Sequence, residues 1–144
     1  FGDTPIIGVD FGNFNLGQIS GDKYWDQNGN GEDDPGEPPL SGWTIYIDVN
    51  DNGQLDGGEL TTVTDGDGHY IFSNLGPGTY RVREVFQAGW AQTDPTAADS
   101  SIGGQTDGSY TVPMTSNGNK TQRNFGNWGG RTIRNSSSAT TSKR

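Results

Sequence analysis

The segment TYRVREV at residues 79–85 places the apolar Tyr80 and Val82 between polar neighbours and is rich in β-branched and aromatic side chains. This pattern is typical of a β-strand with one buried face. Similar short segments occur along the chain at residues 43–47, 69–72, 109–112 and 122–125. No stretch shows a sustained helical period. The sequence therefore predicts β structure throughout.

Turn signals separate these segments, at residues 65–68, 76–78 and 117–119, and the chain contains 24 glycines and seven prolines. Several short strands with glycine- and proline-rich turns between them favour two packed sheets over a mixed fold. We therefore predict an all-β fold, an antiparallel β-sandwich.

Composition excludes several functional classes. With 144 residues, only 28% of them hydrophobic, the chain is long enough for one domain with a core. It has no cysteine, which rules out disulfides, thiolate zinc sites and cysteine nucleophiles. It also lacks an apolar run of roughly 18 residues, so no membrane span is predicted. His69 is the only histidine, and nothing around it suggests catalysis, so turnover of an external substrate is not expected.

Charge is unevenly distributed along the chain. The net charge is −9, and residues 26–67 contain eleven Asp or Glu residues without a single Lys or Arg. Such a block repels itself unless cations neutralise it. It also disfavours nucleic acid as a partner, because phosphates would meet like charge. Residues 131–144 form a basic, Ser/Thr-rich tail that we predict to be flexible.

Two acidic segments, residues 26–37 and 48–59, match the loop pattern D-x-[DN]-x-[DN]-G-x5-E at every fixed position. In such loops oxygens from positions one, three, five, seven, nine and twelve surround a calcium ion, and the glutamate at position twelve binds with both oxygens. The predicted ligands are Asp26, Asn28, Asn30, Glu32, Asp34 and Glu37 in the first loop, and Asp48, Asn50, Asn52, Gln54, Asp56 and Glu59 in the second.

An alternative interpretation is that these segments are ordinary Asn-Gly and Asp-Gly turns. Two complete matches in a region without basic residues favour calcium, and at least two ions. Strands flank the loops, so the ions are expected to be structural rather than part of a helical sensor. Asp65 and Asp67 either add ligands for a further ion or belong to a plain hairpin turn.

The chain also resembles itself at one offset, since VDFGNF at residues 9–14 returns 114 residues later as RNFGNW at residues 123–128. In this match Asp10 corresponds to Asn124. Unless the match is due to chance, residues 1–17 contain the last strand of a preceding unit, residues 18–130 form one complete unit, and residues 131–144 are the tail. Such a spare strand can also pair with the sheet edge of a neighbouring molecule.

Taken together, an ordered set of motifs resembles the B repeats of serine–aspartate-repeat surface adhesins, within the collagen-adhesin B-type domain family. The motifs are ISGDKYWD at 19–26, LSGW at 40–43, NLGPGTY at 74–80, REV at 83–85, GW at 89–90 and NFGN at 124–127. The resemblance implies an immunoglobulin-like β-sandwich that is stiffened by calcium and displayed outside the cell. It also implies a role in stalks, spacers or pilus-like assemblies.

The same resemblance implies a possible isopeptide bond between a lysine on the first strand and an Asn or Asp on the last, assisted by a buried glutamate. The candidates are Lys23, Asn124 and Glu84. Burial would favour the neutral amine and the protonated acid that this reaction needs. The alternative is that Lys23 extends into solvent and that Glu84 pairs with Arg81 or Arg83.

The sequence thus predicts an extracellular structural module, a calcium-stabilised repeat or subunit of an adhesin stalk or pilus-like filament. The expected partners are neighbouring copies of the same domain, in tandem or as filament subunits, and a host or surface ligand is a further candidate. Two alternatives stay open. One is a filament that polymerises by exchange of the N-terminal strand, and the other is a carbohydrate-binding module whose tryptophans stack on sugars (Trp25, Trp43, Trp90 and Trp128).

Overall fold

A computed structural model describes residues 12–129, which form two β-sheets and one short 3₁₀ helix. The strands are β1 (Gly17–Trp25), β2 (Thr44–Ile47), β3 (Thr61–Val63), β4 (His69–Leu75), β5 (Gly78–Glu84), β6 (Trp90–Asp94), β7 (Tyr110–Met114), β8 (Asn119–Lys120) and β9 (Phe125–Gly129), and the helix spans Ala97–Ile102. Most of the predicted N-terminal strand, Asp10 included, and the basic tail lie outside the described residues.

The strand order is β4-β1-β9-β6 in one sheet, with β8 beside the start of β1, and β3-β2-β5-β7 in the other. The all-β prediction is therefore confirmed. The expected antiparallel pairing holds for the second sheet and for the β1–β4 and β6–β9 pairs, but β1 runs parallel to β8 and β9. Strands joined by a short turn must be antiparallel, whereas β1 and β9 meet only after the chain has crossed both sheets.

A hydrophobic core holds the two sheets together. Side chains alternate along β4, where Tyr70 and Phe72 are buried while His69 and Ile71 are exposed. Other fully buried core side chains come from both sheets (Ile19, Ile45, Val82, Tyr110, Val112 and Phe125). This core fixes which face of β1, β5 and β9 points inward.

The last strand differs from its prediction, which placed it at residues 122–125. It begins at Phe125, since Gln122 has a positive φ of 62° that no strand accommodates. The hydroxyl of Tyr70 donates to the carbonyl of Arg123 at 2.5 Å, and that of Tyr110 donates to the carbonyl of Asn124 at 2.7 Å. These bonds hold the segment that leads into β9 as an irregular connection.

Among the helices of the described part of the chain, none is long and apolar enough to cross a membrane.

Candidate functional site

Three polar side chains meet in the interior between the two sheets. Lys23 lies on β1, Asn127 lies on the adjacent β9, and Glu84 ends β5 in the opposite sheet. Lys23 is 0% exposed, Asn127 2% and Glu84 9%, so the three are withdrawn from solvent together. In the parallel register Lys23 faces Phe125, which places Asn127 two residues further along the same side of β9.

The three side chains contact one another directly. The Lys23 Nζ atom is 3.1 Å from Glu84 Oε1, and Asn127 Nδ2 donates to Glu84 Oε2 at 2.7 Å. Lys23 Nζ also donates to Asn127 Oδ1 and, at 3.4 Å, to the carbonyl of Phe125. The amine, the carboxyl group and the carboxamide therefore form a closed triangle.

Burial shifts both titratable members of this triangle toward their neutral forms. Desolvation lowers the pKa of Lys23 to about 8, although the negative charge of Glu84 opposes the shift. Desolvation also raises the pKa of Glu84 above its ordinary value, against the opposing effects of Lys23 and Asn127. A neutral amine is a nucleophile and a protonated carboxyl group is a general acid, so the arrangement suits acyl transfer to nitrogen.

Tryptophans cover the lysine. Lys23 Nζ lies 4.2 Å from the centroid of the Trp43 ring, and Trp43 itself is buried. The Trp90 ring packs edge to face against Trp43 at 5.5 Å and against Trp25 at 5.7 Å. Trp43 thus shields the amine from water, and the three rings do not share one flat face of the kind expected for sugar stacking.

Asn124, the predicted bonding partner, does not reach Lys23. It precedes β9, and its Oδ1 atom accepts the backbone N–H of Asp22 at 2.9 Å. Asn127 stands in its place at the lysine, and the sequence reasoning missed it because the last strand was predicted three residues too early. Counting alternate residues from the buried Phe125 would have identified Asn127.

Glu84 does not pair with the neighbouring arginines, because they project from the opposite face of β5. Arg83 Nε is 2.8 Å from Asp48 Oδ2, and Arg83 also contacts Asp51 at 2.8 Å and Asp107 at 3.2 Å. Arg83 therefore ties the second acidic loop to β5 and to the turn before β7.

A second buried acid lies near the triangle and was also missed. The hydroxyl of Tyr24 donates to Asp94 Oδ2 at 2.8 Å, and Asp94 is 5% exposed. Burial raises the pKa of Asp94 to about 8, and nearby Asp99 adds to the shift. No local motif marks this residue, because its partner Tyr24 belongs to β1, which lies two strands away in the sheet.

The two acidic loops have the same internal hydrogen bonds. Asp26 accepts the backbone N–H groups of loop positions five and six at 3.2 and 2.7 Å, and Asp48 does so in its own loop at the same distances. Glu37 and Glu59, at position twelve, each accept the N–H groups of positions two and nine within 3.0 Å. The loops are therefore built alike.

The remaining predicted ligands join the same networks. The aspartates at position nine, Asp34 and Asp56, accept the side-chain amides of positions three and five, which are Asn28, Asn30, Asn50 and Asn52. Glu32 and Gln54, at position seven, donate their backbone N–H to the amide oxygen of position five. In both loops the predicted side chains at positions one, three, five, nine and twelve thus lie within one hydrogen-bonded loop.

Within residues 12–129, no group of three or more His, Cys, Asp or Glu side chains is gathered as a metal site. The loops do fit calcium by donor chemistry, since carboxylates, carboxamides and backbone carbonyls supply the hard oxygen ligands that this ion takes. Asp65 Oδ1 accepts the N–H groups of Asp67 and His69, each at 2.9 Å, and so closes a turn. Asp67 lines a surface cavity with Asp22 and residues of the first loop.

Several solved structures are similar to this chain, and one of them, with a TM-score of 0.50, shares its fold. The chain is similar to GBS52, the minor pilin of the Gram-positive pathogen Streptococcus agalactiae, with 20% identity and a TM-score of 0.50 over 86% of this chain and 49% of that chain. The major pilin SpaD of Corynebacterium diphtheriae matches at 19% identity and a TM-score of 0.46, over 84% and 33% of the two chains. The Bacillus anthracis TIE protein matches at 14% identity and a TM-score of 0.48, over 80% and 17%.

This chain thus spans half or less of the length of each of these proteins. Among curated proteins, none matches it significantly. Residues 18–127 match the profile of the SdrD B-like domain, which covers all the described strands except the first residue of β1 and the end of β9. The chain therefore belongs to the SdrD B-like domain family.

Proposed function

We propose that this chain is an extracellular structural module, a calcium-stabilised repeat or subunit of a cell-surface stalk or pilus-like filament, whose first and last strands are joined by a Lys23–Asn127 isopeptide bond. Membership of the SdrD B-like family and the pilin names among similar structures support the class of assembly. The observation that carries the proposal is the buried triangle of Lys23, Glu84 and Asn127. Its partners would be neighbouring copies of the same domain.

The position of the triangle suits resistance to pulling. In a stalk, tension acts on both ends of each unit, so β1 is drawn toward the N-terminus and the parallel β9 toward the C-terminus. Hydrogen bonds between the two strands are then loaded in shear. A covalent bond from Lys23 to Asn127 would transmit the force directly and shield residues 24–126 from extension.

The chemistry needs only these three side chains. The neutral Lys23 amine attacks Asn127 Cγ and forms the new C–N bond, while Glu84 keeps its contacts with both the lysine nitrogen and the amide nitrogen. Glu84 then transfers a proton from the lysine nitrogen to the leaving nitrogen, which departs as ammonia. Glu84 ends in its initial state, and the product is a secondary amide.

Intact mass tests the bond. The purified chain should be lighter than its sequence by one ammonia, and the Lys23→Ala and Asn127→Ala variants should have their full masses. Asn124→Ala is the matched control and should still lose ammonia. An unmodified wild-type mass, or a loss that persists in Asn127→Ala, would refute the proposed bond.

Calcium titration tests the loops independently of the bond. We expect the chelated wild-type chain to bind at least two ions, and Glu37→Ala and Glu59→Ala each to weaken one site. Saturation at a hundredfold excess over Kd would stabilise the fold by about 2.7 kcal/mol per site, measured as a rise in Tm. Absence of calorimetric binding together with an unchanged Tm would reject calcium as a component of the module.

A further inference from the structure

The sequence FGNF at residues 11–14 is a second copy of FGNW at residues 125–128, which form most of strand β9. With Asn127 at the lysine, the offset of 114 residues places Asn13, and not Asp10, at the bonding position. We propose that Asn13 is a second acceptor amide, which bonds to the Lys23 of another copy of this unit standing before it in the chain. This inference rests on the proposed Lys23–Asn127 bond.

The site requires a glycine at the second position of the motif, and the copy has one. A Cβ atom on Gly126 would lie 2.5 Å from Tyr24 Cζ and 2.6 Å from its hydroxyl oxygen, so β9 fits beside β1 only with glycine at this position. The copy has Gly12. A Cβ atom there would meet no heavy atom of the described chain within 4 Å. Among residues 12–129 this glycine therefore has no steric role, whereas a glycine is required at its position in the site of another unit.

The flanking residues satisfy the other requirements. Phe125 is fully buried, with its ring 5.3 Å from that of Tyr110, and the copy has phenylalanine at residue 11. Trp128 is 53% exposed, so the aromatic Phe14 can replace it without loss of core packing. The copy thus has a suitable residue type at each buried position of the motif.

Positions 123 and 124, where the copy differs, contact β1 and β4 through groups that the replacements also have. The bond from the Arg123 side chain to the carbonyl of Thr121 at 2.7 Å lies within the connecting segment itself and is lost in the copy. Arg123 acts through its backbone, because its carbonyl accepts the Tyr70 hydroxyl and its N–H donates to Ser20 at 3.1 Å. Valine at residue 9 offers the same backbone groups. Asn124 accepts the N–H of Asp22 through a side-chain oxygen, which aspartate at residue 10 also possesses.

The junction with the following unit leaves Asn13 accessible. Asn13 is exposed, whereas Phe14 packs partly buried against the core and Asn15 is bonded to residues before β8, accepting from the N–H of Asn117 at 2.6 Å. Attachment to the chain's own unit therefore starts directly after the proposed acceptor. Residues 14–22 would be the only segment between successive covalent bonds, so tension would pass from bond to bond.

The test adds a preceding copy to the full chain. Residues 18–114 are joined in front of Phe1, so that residues 1–14 take the places of 115–128 in the added copy. The same transamidation should occur twice, and the fusion should be lighter than its sequence by two ammonias. Asn13→Ala or Asn127→Ala should each reduce the loss to one, and peptide mapping should link Asn13 to the Lys23 of the added copy.

Matched variants separate this inference from the proposed function. Gly12→Ala should make the first loss of ammonia in the fusion incomplete and leave the single chain fully bonded. A control fusion carries residues 115–128 in place of 1–14 and should lose two ammonias. If the control loses two and the test fusion one, Asn13 is not an acceptor, and the Lys23–Asn127 bond stands.

Loss of only one ammonia by the control fusion would also refute the inference. Two joined units would then be unable to form both bonds even when each contains its own residues 115–128. An unmodified single chain would refute the proposed bond itself.

Discussion

The backbone N–H of Asp26, the first residue of the first acidic loop, donates to the backbone carbonyl of Asn127 at 2.8 Å. Asp26 is fully buried and directly follows β1, so the loop is anchored to the strand that bears the proposed acceptor. The second loop is attached elsewhere, since the N–H of Asp48 donates to the carbonyl of Arg81 on β5 at 2.7 Å. Two loops with the same internal bonds therefore support different parts of the sandwich.

This difference predicts unequal effects of the two loops on the covalent bond. Glu37→Ala should slow bond formation, because a loosened first loop no longer holds Asn127 in register with Lys23. We expect a slowing of about tenfold, equivalent to about 1.4 kcal/mol in the barrier. Glu59→Ala is the matched control and should lower the Tm in calcium while leaving the rate nearly unchanged.

The measurement is the mass of chains recovered unfolded and unbonded, refolded in calcium, and sampled over time. Equal slowing by the two substitutions would show that the loops act only through overall stability.

Bond formation should also depend on pH. Lys23 attacks only as the neutral amine, and its pKa is lowered to about 8, so the rate should rise with pH as the amine loses its proton. The check is the same refolding assay across a pH series. A rate that does not change with pH below about 8, the pKa of Lys23, would contradict a neutral-amine mechanism.

Packing at Gly126 supplies a purely steric test. Gly126→Ala should push β9 away from Tyr24, because the added Cβ would approach the ring to 2.5 Å. We expect destabilisation by about 1–3 kcal/mol, as for other overpacked sites, and incomplete loss of ammonia. Chemical denaturation and intact mass measure the two effects. Gly12→Ala, where the space is open, is the control, and equal effects in the two variants would rule out the clash.

The sequence predicted most of the fold because the decisive strands show their burial in their own residues. Tyr70 and Phe72 on β4 and Val82 on β5 alternate with polar residues, and Lys23 falls on the inward side of its strand by the same count. The resemblance to known repeats supplied Glu84.

β9 escaped prediction because FGNWG contains two glycines and has little intrinsic strand preference. Its pairing with β1 and β6, formed by residues distant in sequence, makes it a strand. For this reason the acceptor was predicted at Asn124 and not at Asn127. Asp94 was missed for a related reason, since its environment is created by Tyr24, 70 residues earlier in the chain.

Asp94 provides a last test, this time of stability against pH. Burial raises its pKa from an ordinary 3.8 to about 8, so the folded state binds the proton more tightly than the unfolded state does. The stabilising contribution is therefore fully present below the unfolded value and is lost as the pH rises toward about 8. Asp94→Asn keeps an acceptor for the Tyr24 hydroxyl and cannot ionise, so it should gain stability relative to wild type across this window.

The comparison requires the Tm of both chains in saturating calcium at several pH values between 4 and 8, the roughly four-unit window set by the Asp94 pKa values. The Tm of the Asp94→Asn variant should increase relative to the Tm of wild type as the pH rises. Glu32→Gln removes an exposed acid and should show no such trend. A constant gap for Asp94→Asn would mean that Asp94 is ionised in the folded chain throughout, stabilised by the hydroxyl of Tyr24 more strongly than burial opposes it.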